Sequence, residues 1–97
     1  MRFFRRAWEQ VRGDKFDGWG TAVYFFETDD ELWPQRQLEV YADGNVLAYD
    51  KTHVDDEFGG LSQAALEASD FKPFEIAQDD FDSAWKESRP LNRAPAP

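Results

Sequence analysis

One histidine and twenty carboxylates supply most of the acid–base chemistry of this 97-residue chain, which has no cysteine. An imidazole can serve as a general base, but it needs a nucleophile to activate. His53 has no thiol to act on, and no Gly-x-Ser-x-Gly elbow is present. Gly18-Trp19-Gly20 lacks the remaining glycine and the strand–helix setting of a phosphate-binding loop. His53 therefore reads as a solvated loop residue. The carboxylates gather in two runs, Asp29-Asp30-Glu31 and Asp55-Asp56-Glu57. A calcium loop needs ligands at alternating positions, a central glycine and a distal glutamate, and neither run has that spacing. Nothing in the chain suggests the sugar cleft that a glycosidase acid pair requires. What remains is a surface. Trp33 follows the first run and Phe58 the second. An exposed aromatic beside acids suits a cationic partner, with charge setting the association rate and the ring supplying the anchor. Asp29, Asp30, Glu31, Trp33, Asp55, Asp56, Glu57 and Phe58 are thus the candidate partner contacts. No catalytic residue, metal ligand or cofactor is expected.

The charge distribution points the same way. The formal net charge is −9. Residues 1–15 carry +3, residues 16–88 carry −14 and residues 89–97 carry +2. Such a field repels nucleic acid and anionic lipid and attracts basic proteins. No stretch approaches the roughly 20 apolar residues of a membrane span. The basic start, Met1-Arg2-Phe3-Phe4-Arg5-Arg6, leads into Trp8, Glu9 and Gln10 instead of an apolar signal core. The absence of cysteine fits a reducing cytoplasm.

The elements that must position these residues follow from pattern. Four Trp, nine Phe and three Tyr give a dense core for one small domain. Residues 2–10 alternate Phe4 and Trp8 against Phe3 and Ala7, a strand. Residues 11–19 carry turn formers, and residues 21–28 are rich in β-branched and aromatic types, as a central strand requires. In residues 36–41, Leu38 and Val40 face one way and Gln37, Glu39 and Tyr41 the other. Asp43-Gly44 then closes a hairpin onto residues 46–49. Ser62 is placed to cap a short helix to about Ala68, and residues 71–76 read as extended around Pro73. Phe81, Ala84 and Trp85 share one face of a stronger helix that starts among Asp79, Asp80 and Asp82 and ends at Pro90. The expected architecture is α+β: an antiparallel meander of about four to five strands with two helices packed on one face, over residues 1–89, and a disordered tail at 90–97.

The order of these features resembles a small bacterial family known only as a domain of unknown function. The resemblance rests on Met1-Arg2-Phe3-Phe4 with Trp8, on Tyr24 with the acidic turn after it, and on the hairpin Arg36-Gln37-Leu38-Glu39-Val40-Tyr41-Ala42-Asp43-Gly44. It continues through Phe71-Lys72-Pro73-Phe74-Glu75-Ile76 and Asp80-Phe81-Asp82-Ser83-Ala84-Trp85. Ala77 departs from it, standing where that family places a Ser or Thr helix cap. The resemblance implies no catalytic residues. The chain is also similar in type to the small acidic immunity proteins that accompany bacterial toxins, including those of contact-dependent inhibition. A nuclease toxin needs a basic cleft for its phosphate substrate, and an acidic protein can occupy that cleft. The expectation is therefore a non-catalytic inhibitor of a basic toxin that touches neither nucleic acid nor membrane. A regulatory or scaffold module for another basic protein is the alternative.

Overall fold

Successive side chains of β1 (Arg2–Trp8) point to opposite faces, and that alternation sorts the whole sheet. The structure, a computed structural model, describes residues 1–93. Next come β2 (Ala22–Thr28), β3 (Pro34–Tyr41) and β4 (Val46–Tyr49), and the four strands lie side by side in chain order, all antiparallel. Phe4, Phe26, Gln37 and Tyr49 stand abreast on one face, which we call the strap face; Phe3, Glu27 and Arg36 stand abreast on the other, the helix face. Pro34 opens β3, where its missing N–H breaks no ladder, and the register shifts beside it at Glu27/Thr28. The expected hairpin forms with a three-residue loop. Gly44 donates to Tyr41 O, Tyr41 N to Asn45 O, and Gly44 takes the left-handed φ of 97° that such a turn requires.

On the helix face lies α2 (Gln78–Glu87). Phe81 is fully buried, with its ring centroid 5.5 Å from that of Phe3. Burying one such ring contributes about 2–3 kcal/mol. The Arg36 guanidinium covers Phe81 and Trp85 at 4.7 and 5.1 Å and forks to Glu27 and Asp82. Ala77 sits at the N-cap with no side-chain hydrogen bond, so only the acids Asp79 and Asp80 offset the dipole of the first turn.

On the strap face, the chain from 55 to 66 crosses the sheet as an irregular strap. It begins with the two-residue strands β5 (Asp55–Asp56) and β6 (Gly59–Gly60), and α1 (Ala68–Phe71) follows it. Leu61 joins Tyr41, Leu47 and Tyr49 in one buried cluster, and Phe71 meets Phe4 and Phe26 edge-on in another. The α+β meander is as expected, but the two helices lie on opposite faces instead of one. The helix expected from Ser62 to Ala68 is absent: Leu66 N, which a helix would direct to Ser62 O, donates to Leu32 O across the strap, and Ser62 Oγ bonds Ala64 N and O in place of capping. Residues 72–74 form a 3₁₀ turn holding Pro73, where an extended segment was expected, and Glu75 bridges to Phe4.

Residues 91–93, expected to lie in a disordered tail, are bonded to the sheet. Leu91 N donates to Val46 O, the Asn92 amide bonds both backbone groups of Ala48, and Arg93 pairs with Asp50. These contacts cover the free edge of β4. The expected disorder of residues 94–97 lies outside the described residues. Among the described residues, no helix is long and apolar enough to cross a membrane.

Candidate functional site

The turn between β2 and β3 is held by the first residue of its acidic run. Asp29 Oδ1 accepts from Glu31 N and Trp33 N at 3.0 and 2.9 Å, while the Asp29 backbone exchanges hydrogen bonds with Leu32 and Trp33. Leu32 adopts φ 69° so that its side chain can reach the cluster of Phe4, Phe26 and Phe71. A left-handed conformation costs a leucine about 1–2 kcal/mol. Burial of the side chain offsets it. The turn therefore presents Asp30 and Glu31 to solvent together with Trp33, which is 45% exposed. Asp29 shapes the surface from within.

The second run divides in the same way. Asp55 and Glu57 are exposed, while the Asp56 carboxylate accepts from Tyr49 Oη, His53 Nε2, Phe58 N and Asn92 Nδ2, all at 2.8–2.9 Å. Burial acts to raise the Asp56 pKa, but these donors outweigh it and hold the carboxyl down to about 2. His53 is thus a strut for the strap, its ring centroid 6.0 Å from that of Tyr49 and tilted by 38°. Phe58 turns inward, its ring 5.3 Å from Phe16 and 5.7 Å from Trp19. The eight candidates do not converge on one patch. The Asp29 turn lies at one end of the sheet, and the 55–58 segment lies against β4 and the Trp19 cluster. No hydrogen bond or ion pair joins them among the described residues.

Between strap and sheet lies a polar layer that was not among the candidates. Glu39 is 5% exposed, accepting from Gln37 Nε2 at 2.8 Å and from Tyr41 Oη at 2.5 Å. Burial first, and then the hydrogen bond and charge of Glu39, push the Tyr41 phenol far above its ordinary range. Tyr24 is raised too, by burial and then by Glu39. Arg12 stacks over Phe16 and Trp19, bonds Asp14 at 3.0 Å, and donates to Phe58 O and to Tyr41 Oη. This layer floors a cavity of about 390 Å3 rimmed by Trp8, Val11 and Gly60. The alternation of Gln37, Glu39 and Tyr41 opposite Leu38 and Val40 placed them on one face. It carried no sign that a strap without periodicity would bury that face.

Ion pairs complete the electrostatics. Arg2 is tied to Glu75, Arg12 to Asp14, Arg36 to Glu27 and Asp82, and Arg93 to Asp50. Asp30, Glu31, Asp55 and Glu57 have no such partner among the described residues. Nor do three or more His, Asp or Glu side chains among them converge in a geometry that could hold a metal ion. Compared with known proteins, the chain matches no family model, no curated protein and no solved structure.

Proposed function

We propose that the protein is an immunity protein: it neutralises a cognate bacterial toxin, a basic protein and by its charge a nuclease, through direct stoichiometric binding in the cytoplasm. The observation that carries this reading is how charge is spent. Four arginines are engaged by acids of the same chain, whereas Asp30, Glu31, Asp55 and Glu57 are exposed and have no ion-pair partner among the described residues. An excess of unpaired carboxylates steers a basic partner and raises its association rate. The Asp29 turn adds a preorganised aromatic, Trp33, whose backbone is already fixed. Little ordering entropy is then lost when it is buried in a complex. No catalytic step is assigned to the chain.

Co-expression with the toxin domain encoded beside it in its native operon tests the reading. Growth should be restored, and the two proteins should co-elute as a 1:1 complex by light scattering. Undiminished killing, with no complex formed, would show the reading to be wrong.

A further inference from the structure

We propose that the cavity between β3 and the strap receives the cationic head of a lysine or arginine side chain from the protein partner. The inference deepens the inhibitor reading and rests on it for the source of that side chain. Glu39 is a buried carboxylate whose partners, Gln37 and Tyr41, are neutral, and it forms no ion pair among the described residues. With the Tyr24 hydroxyl, which also reaches Glu39, its donors are all neutral and none brings a compensating positive charge. A charge held this way is costly until a cation compensates it.

Arg12 is the one cation among the residues that line the cavity, and it does not fill this role. It is bound to Asp14 and clamped over Phe16 and Trp19, and it reaches the polar layer only through Tyr41 Oη at 3.5 Å. Arg6 lies over Trp8 but outside the lining. Glu39, Asp14 and Arg12 together leave the lining at −1, which one ammonium or guanidinium neutralises. The walls suit the same group. Trp8, Tyr24, Tyr41 and Phe58 also line the cavity, with the Trp8 and Tyr24 ring centroids 6.2 Å apart, and aromatic rings attract a cation. A volume of about 390 Å3 has room for one long side chain together with several waters.

The test uses capped amino acids as probes. Nα-acetyl-lysine methylamide and Nα-acetyl-arginine methylamide are titrated into the isotopically labelled full chain, followed by the indole signal of Trp8 and the amide of Gly60. Both should give saturable shifts in the millimolar range, and neutral acetyl-norleucine and acetyl-citrulline methylamides should give none. Glu39→Gln removes the charge while keeping the shape, and should weaken the cationic probes about tenfold or more, as expected for a charge-assisted hydrogen bond. Val11→Lys, an exposed change at the mouth, should weaken them without touching the core. Equal binding of citrulline and arginine probes, or unchanged binding in both variants, overturns the proposal. Spermidine binding more tightly than the capped residues overturns the assignment to a protein side chain. The two readings can fail separately. A toxin bound equally well by wild type, Glu39→Gln and Val11→Lys removes the cavity from the interface and leaves the acidic surface intact. Saturable probe binding with no toxin complex does the reverse.

Discussion

Tyr41 donates its hydroxyl to Glu39 Oε1 at 2.5 Å from two residues along the same face of β3. Side chains at i and i+2 of a strand share a face; here the strap buries both, leaving Glu39 5% and Tyr41 4% exposed at the floor of the cavity. Tyr41→Phe would strip a buried carboxylate of one of its donors and cost about 1.5–3 kcal/mol. The phenols of Tyr24, Tyr41 and Tyr49 are all held above their ordinary range in the folded chain. The unfolded chain ionises its tyrosines near pH ~10, so above that pH it binds fewer protons than the native state. Stability contributed by these groups is thus complete below pH ~10 and declines as pH rises further. Urea denaturation across the alkaline range should show this decline in wild type and a shallower one in Tyr41→Phe.

Asp56 governs the opposite end of the pH scale. Its folded pKa lies near 2, below the unfolded 3.8, so its contribution is present above pH 3.8 and is lost as pH falls towards 2. The side chain is 17% exposed, and the shift is worth on the order of 2 kcal/mol at neutral pH. Asp56→Asn should lose about that much at pH 7 and show a flatter stability profile in the acid window. An unchanged acid limb in Asp56→Asn would mean that other carboxylates control acid unfolding.

Some of this organisation was legible in the sequence, and the reason differs from place to place. Asp43-Gly44 specified its hairpin because a left-handed residue is a local demand that few residue types meet. Phe81, Ala84 and Trp85 revealed α2 because its buried stripe repeats at helical spacing. The 62–68 segment departs from its capping signal because that signal is local, whereas Leu66 N is drawn to Leu32 O in the distant β2–β3 turn. Within each acidic run the residues looked alike. Asp29 and Asp56 differ from Asp30 and Asp55 only in which backbone and side-chain donors the fold brings to them. Composition states that acids are abundant, not which of them are already engaged.

Leu32 offers a test of the strained turn. Replacing a buried leucine with alanine costs about 2–4 kcal/mol, and glycine ordinarily costs a further 0.5–1 kcal/mol through unfolded-state entropy. At φ 69° that order should be cancelled or reversed, because glycine alone adopts the conformation without strain. Leu32→Gly should therefore be at least as stable as Leu32→Ala in chemical denaturation. The usual order, with glycine clearly the worse, would argue against strain at this position.

Trp33 and its acidic neighbours should separate the two components of partner binding. Trp33 is 45% exposed, so Trp33→Ala should change stability by no more than about 0.5–1 kcal/mol. If the ring is the anchor, the variant should dissociate from the toxin at least about tenfold faster while its association rate stays near wild type. Asp30→Lys with Glu31→Lys should do the converse. Long-range attraction is reversed, so association slows and its salt dependence weakens, while the dissociation rate moves less. Surface plasmon resonance at two ionic strengths distinguishes the cases. Should both variants change only the dissociation rate, the acids act as short-range contacts and do not steer the partner.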